Sequence, residues 1–391
     1  MTDLSTQRLW NRSFILCVFN NLFLFIYYFA LIAVLPIYIM QELGGSIEQA
    51  GLALTLFLVS SISIRPFSGM LIERIGKKKT IRGAGLLFVL FAGSFLWIDS
   101  LWSLLLCRFL HGFWFSLLTT VNVPIVNDFI PEHRKGEGMG YFVMSTNLGV
   151  VFGPLVALTM IQFASFQALF AVLTLISLIG YLFCLTLNIE DNVKIKPLTQ
   201  AKTPLQLSDI VEVRVLAISV VALLTALAYS SITSFITAYA DSKQLLSYAS
   251  LFFVVFAVSM IAVRPWVGKF YDRKGPSSVI YPSFVAFAIG LILTSMVETQ
   301  WSLWLAAVFI GFGYGSLFPC LQTLAIQRVE KQRMGHAIST FFTLFDMGLA
   351  IGSVVMGLVI AAVDYQMTYL MCAGIVILTL LVYRKTVAPT V

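Results

Sequence analysis

The chain has 391 residues, 59% of them hydrophobic, and Asp, Glu, Lys and Arg together make up only 11%, against roughly 25% in an average soluble protein. With a mean hydropathy of +0.93, so few charges cannot cover the apolar surface of a water-soluble globule; a soluble enzyme, a nucleic-acid-binding protein and a disordered chain are excluded. The net charge of +7 fits basic residues flanking membrane spans better than a polyanion partner.

A bilayer core about 30 Å thick needs roughly 20 apolar residues per spanning helix, and backbone groups in lipid must be paired within the helix. Apolar runs between charged or turn-rich breaks predict twelve spans, at 14–40, 48–72, 80–98, 102–128, 137–161, 165–188, 214–240, 246–270, 277–297, 301–327, 335–361 and 366–384. Met1 to Arg12 is polar and the run from Phe14 to Met40 exceeds the roughly 7–15 residues of a signal-peptide core, so the first span is expected to stay. The polar stretch between the sixth and seventh spans reads as a linker at 189–213, joining an N-terminal six-helix bundle (1–188) to a C-terminal one (214–391). The predicted class is an all-α membrane protein with two pseudo-symmetric bundles.

If the N-terminus lies inside, the inner segments with the inner ends of the spans hold 21 of the 25 Lys and Arg residues, Arg65, Arg108 and Arg264 lie deeper within spans, and only Lys243 falls outside. This bias predicts both termini in the cytoplasm and the bacterial-type cytoplasmic (inner) membrane as location. Cys17, Cys107, Cys184, Cys320 and Cys372 all sit in apolar runs without a CxxC pair, so they read as small buried hydrophobes, with no disulfide framework or metal site.

The halves repeat. A shift of 199 residues carries Arg65-Pro66-x-x-Gly69 onto Arg264-Pro265-x-x-Gly268, Glu73-Arg74-x-Gly76 onto Asp272-Arg273-x-Gly275, Gly112 onto Gly311, Arg134-x-Gly136 onto Arg333-x-Gly335, and Gly149 and Gly153 onto Gly348 and Gly352. Transporter folds are commonly built from such repeats.

Between the second and third spans, Gly69, Glu73, Arg74, Gly76 and Lys77 sit at a very short turn, where glycines permit tight packing and φ > 0. A carboxylate there can engage a neighbouring helix N-terminus, and the basic residues can pair with Asp128 on the inner end of the fourth span. With the repeat copy Gly268, Asp272, Arg273 and Gly275, these residues read as a cytoplasmic gate that breaks when that side opens; for the lysine run alone, a positive-inside anchor suffices.

Residues 69–78 match the pattern G-x-L-x-D-R-x-G-R/K-R/K, with Glu73 in place of aspartate; Arg108-Phe-Leu-His-Gly112 matches R-x-x-x-G; and Gly149-Val-Val-Phe-Gly153-Pro154 is similar to G-x-x-x-G-P, with Ala157 replacing a later glycine. In these elements the chain resembles the major facilitator superfamily over essentially its whole length, and most resembles its proton-coupled drug-efflux branch. The resemblance implies a role for Arg108 in coupling proton movement to substrate. It also implies a cavity lined by the first, fourth, seventh and tenth spans, where Asn20, Asn21, Tyr27, Tyr28, Phe113, Trp114, Asn122, Tyr229, Ser230, Thr233 and Tyr314 are the mid-span polar and aromatic residues.

Intramembrane ionisable groups are costly and suggest function. Asp346, about ten residues into the eleventh span, is the leading proton carrier or cation ligand; a hydrogen-bonded structural carboxyl is the other reading. Arg108 is either a coupling residue or a structural arginine. Arg65 and Arg264 read as structural or gating residues, and His111, one turn from Arg108, as a packed histidine or a proton shuttle. The glycine pairs Gly149/Gly153 and Gly348/Gly352, four apart, allow close helix approach and are expected between the halves. Close packing within one half is the alternative.

No G-x-x-x-x-G-K-[ST] occurs, so no nucleotide cofactor is expected and an ion gradient would drive the work. The reading is proton-coupled export of a small amphipathic organic compound by a monomer in the lipid bilayer. Rivals are export of one endogenous metabolite or metal-chelating small molecule, proton symport, a lipid flippase, and a non-transporting membrane sensor.

Overall fold

The computed structural model describes residues 8–190 and 210–388. Most of the expected linker, 191–209, and the segments before 8 and after 388 lie outside the described residues. Twelve α-helices form, with no strand among the described residues: α1 (Arg12–Gln41), α2 (Ile47–Ile75), α3 (Lys77–Ser94), α4 (Leu101–Phe129), α5 (Lys135–Met160), α6 (Phe166–Thr186), α7 (Leu216–Ser242), α8 (Leu246–Lys274), α9 (Ser277–Ser295), α10 (Gln300–Gln327), α11 (Met334–Ala362) and α12 (Tyr365–Thr386).

Local chemistry sets the ends. On the side that carries few basic residues, helices begin on oxygen caps that satisfy orphan N–H groups. Ser46 and Gln49 make a reciprocal capping box for α2, and Thr299 and Ser302 one for α10. Ser100, Ser165 and Asp364 cap α4, α6 and α12. On the basic side the links are tighter. Gly76 both ends α2 and begins α3 at φ +94°, and Gly275 ends α8 at φ +84°, a region side-chain-bearing residues avoid. The one-residue link makes α3 start at Lys77, three residues before the expected 80, and α8 runs past the expected 270 to Lys274.

Eleven of the helices are long and apolar enough to cross a membrane. Their outer surfaces are apolar: Leu106, Trp266, Val354 and Leu358 are more than half exposed, which a soluble monomer could not sustain. Trp97, Trp102, Phe163 and Trp301 are each 70–84% exposed near the capped ends, where aromatic rings form the belt at a membrane–water interface. The protein is a multi-pass membrane protein.

The chain divides into two compact units. One comprises Met1–Pro131, Phe142–Val211 and Glu330–Ser339; the other comprises Glu132–Tyr141, Glu212–Val329 and Thr340–Val391. Two short segments therefore fall outside the sequence halves expected at 1–188 and 214–391. The start of α5 beds on α8, and the start of α11 beds on α2. Helix pairings repeat between the units: α2 with α4, α3 with α4, α1 with α6 and α3 with α6 in the first, and α8 with α10, α9 with α10, α7 with α12 and α9 with α12 in the second.

Candidate functional site

In the first unit, Gly69 allows backbone contact between α2 and α11: a Cβ there would lie 2.6 Å from the Cα of His336. Four residues further along α2, the Glu73 carboxylate sits 3.2 Å from His336 Nδ1 and 3.7 Å from an Arg333 guanidinium nitrogen. His336 is buried and Glu73 partly open to solvent. The Ser339 hydroxyl donates to the Arg65 carbonyl. Past Gly76, Lys77 Nζ lies 2.5 Å from Asp128 Oδ2 at the end of α4.

The second unit builds the same corner with different chemistry. A Cβ on Gly268 would lie 2.5 Å from the Cα of Glu137. The Asp272 carboxylate accepts the backbone N–H groups of Gly136 (2.7 Å) and Glu137 (3.0 Å), capping the first turn of α5, where the helix dipole favours negative charge. Glu137 in turn accepts from Arg134 at 2.7 Å. One carboxylate thus grips a helix terminus directly, and its repeat mate grips an imidazole and a guanidinium. Arg74 and Arg273, expected in the gate, are exposed.

Beside Glu73 and the Lys77–Asp128 pair, a recess of about 440 Å³ opens in the first unit, lined also by Ser13, Glu190 and Lys331. Its walls mix the charged Glu73, Lys77, Asp128, Glu190 and Lys331 with the apolar Ile72, Ile125, Phe129 and Ile189.

Within the spans, Arg108 is 1% exposed, its guanidinium 4.1 Å from the centre of the Phe57 ring. Such stacking partly replaces lost hydration of a cation. His111, one turn on, is fully buried among the rings of Tyr27, Phe57, Phe88, Phe91 and Phe95, and among the described residues neither ring nitrogen has a hydrogen-bond partner. In the second unit, Tyr229 and Tyr314 stack face to face with centroids 3.5 Å apart. The partly buried Asp346 of α11 lies within electrostatic reach of Tyr314. Phe318, one turn after Tyr314, packs on Phe345 at 4.7 Å. A mid-span carboxylate beside aromatic faces is a chemistry that attracts organic cations.

Several residues expected to line a cavity face the bundle interior instead. Asn20 donates to Asn122 (3.4 Å), and both border a space of only about 20 Å³ among α1, α3, α4 and α6, room for about one water. Tyr27 packs on Phe88 of α3. Asn21 donates to Ser145 (2.8 Å) and Thr146 (3.0 Å) of α5. Their helix faces point into the bundle, where the Asn20 and Asn21 amides find side-chain partners while, among the described residues, the Tyr27 hydroxyl and Asn122 Nδ2 have none. Tyr28 stacks on Phe115, and Phe113 lies edge-on to Trp114.

The paired glycines also need correction. Cβ atoms on Gly149 and Gly153 would meet Phe25, Ile26, Phe29 and Ala30 of α1 at 2.6–3.1 Å, and on Gly348 and Gly352 they would meet Leu223, Leu227 and Ser230 of α7. Each pair seats a helix on the first helix of its own half, not between the halves. Pro154 follows Gly153 inside α5.

The model of the major facilitator superfamily matches residues 17–352 and, in a second match, 283–391. The chain belongs to the major facilitator superfamily. It is 23% identical over 358 residues to a multidrug resistance protein MdtG of Salmonella heidelberg (strain SL476), covering 88% of this chain and 87% of that protein. In fold it is similar to a bacterial homologue of the iron transporter ferroportin (TM-score 0.79, 15% identity, 96% and 99% of the two chains). It is also similar to the human organic anion transporter MFSD10 (TM-score 0.77, 14% identity, 95% and 98%).

For a superfamily member, the residues that sequence reading passed over are His336, Ser339 and Glu137. A signal existed: 336 and 339 are the repeat mates of 137 and 140, beside the shared Arg-x-Gly at 134–136 and 333–335. Because the mates differ in chemistry, only the matching glycines stood out.

Proposed function

We propose that the protein is a secondary active transporter that exports a small amphipathic organic compound in exchange for protons. In this reading two repeated six-helix halves alternate access to a midplane site, in a bacterial-type inner membrane, with both termini cytoplasmic and the chain acting as a monomer without a cofactor. The observation that carries the reading is the likeness to MdtG multidrug resistance proteins across 88% of the chain. The Asp346–Tyr314–Tyr229 group supports it: a carboxylate beside stacked rings can exchange a proton for an organic cation. Arg108 is proposed to tune that exchange, and the Glu73 and Asp272 corners to serve as the cytoplasmic gate that breaks and reforms in each cycle.

The test is reconstitution in liposomes with an imposed pH gradient, following cationic dyes and internal pH together. Dye movement coupled to proton flux is expected, and Asp346→Asn should abolish the coupling while leaving insertion intact. Dye movement without protons indicates a uniporter, movement of labelled lipid a flippase, and no movement of any compound a sensor; each would replace the proposal.

A further inference from the structure

Arg264 of α8 is 3% exposed, and among the described residues none of its three guanidinium nitrogens has a hydrogen-bond partner. Two carboxylates of the same unit are committed elsewhere: Asp272 to the N–H groups of α5 and Glu137 to Arg134. Among the described residues, the ionisable neighbour acting on it is the Cys320 thiol of α10. An arginine does not shed its charge to escape such a place, and a buried, uncompensated charge is strongly unfavourable.

The repeat supplies an internal control. Arg65 occupies the equivalent place on α2, and hydroxyls surround it. Its guanidinium reaches Thr119 Oγ1 (3.4 Å) and Ser61 Oγ (3.5 Å), and its carbonyl receives the Ser339 hydroxyl. Shifted by 199, these three positions are Phe318, Met260 and Gly140. All three polar partners are gone, yet the arginine is kept. Gly140 brings no side chain of its own to the guanidinium; even a Cβ at 140 would only touch Arg264 Cδ and Nη1 at 3.8–3.9 Å, an ordinary contact.

We propose that Arg264 forms an anion-binding site inside the second unit, taking a small monovalent anionic group, a halide or the tip of a carboxylate. Five N–H donors in a planar fork suit that chemistry. One guanidinium carries a single positive charge, which a monovalent group neutralises, whereas a doubly charged phosphate would leave an excess charge buried. The group can come from a free inorganic anion or from an acidic substrate; the second source rests on the transport reading above, the first does not.

The experiment is thermal unfolding of the full chain in detergent at constant ionic strength, replacing a bulky sulfonate stepwise with chloride or with acetate. A saturable rise in unfolding temperature is expected, lost in Arg264→Gln and retained in Arg65→Gln. Should Arg264→Gln fail to fold, Met260→Ser with Phe318→Thr keeps the arginine, rebuilds its twin's hydroxyls and should weaken the anion dependence. A response to chloride identifies the free ion as the source, and a response to acetate alone a substrate carboxylate. No saturable response in the wild type, or the same response in Arg264→Gln and in the rebuilt variant, overturns the proposal.

Discussion

Glu73 and Asp272 are repeat mates, but their surroundings give them different weights. Asp272 satisfies two backbone donors at a helix start, and losing a carboxylate cap costs about 0.5–2 kcal/mol. Glu73 is 43% exposed and holds its partners at 3.2 and 3.7 Å, a geometry in which ion pairs contribute about 1 kcal/mol or less. Asp272→Ala should therefore lower the unfolding temperature of the purified protein more than Glu73→Ala does; equal effects would show that the cap carries no extra weight. The motif was legible because glycine, carboxylate and arginine recur at one spacing. The partners were not, because Arg74 and Arg273 share that spacing and yet face solvent. Nor does spacing tell that an imidazole at 336 stands where a carboxylate stands at 137.

At the scale of helices, glycine marks where backbones touch, and the touching partner decides what a substitution does. A valine at Gly153 would drive its Cβ to 2.8 Å from the α1 backbone at Ala30, whereas Gly83 of α3 has nothing within 4 Å. Gly153→Val should destabilise the first unit by about 1–3 kcal/mol through overpacking. Gly83→Ala should be neutral or stabilising by about 0.5–1 kcal/mol through helix propensity. Unfolding in detergent measures both, and tolerance of Gly153→Val would mean that α5 does not rest on α1. Helix positions were readable from sequence because lipid demands long apolar runs. Helix faces were not: where nearly every position is apolar, a 3.6-residue period carries little contrast. That is why the sequence does not reveal that Asn20, Tyr27 and Asn122 make their contacts inside their own bundle.

For the whole molecule, the 199-residue repeat and the asymmetry of positive charge carried most of what sequence could give: two sets of six helices with matching pairings and a proposed orientation. The native cysteines are all buried, so a cysteine-free background is a reasonable start for mapping. In whole cells an impermeant maleimide should label Lys243→Cys, between α7 and α8. It should label Lys385→Cys, near the end of α12, only after the membrane is permeabilised; the reverse pattern would invert the topology. What repeat and charge could not convey is that the first turns of α5 and α11 bed on α8 and α2, since that depends on which glycine meets which backbone.

The third helix has a bearing on how the chain enters a membrane at all. α3 is 18 residues long and carries Lys77, Lys78, Lys79 and Arg82 near its start, and it alone among the twelve lacks the apolar composition of a self-sufficient span. A translocon reads hydrophobicity segment by segment and charges heavily for arginine and lysine at depth. α3 is therefore expected to partition into lipid poorly by itself. Its successor α4 follows after a short loop and packs against it closely, so the two should integrate during biogenesis as one hairpin. A nascent chain stalled before α4 emerges would then carry a third segment still lying at the surface.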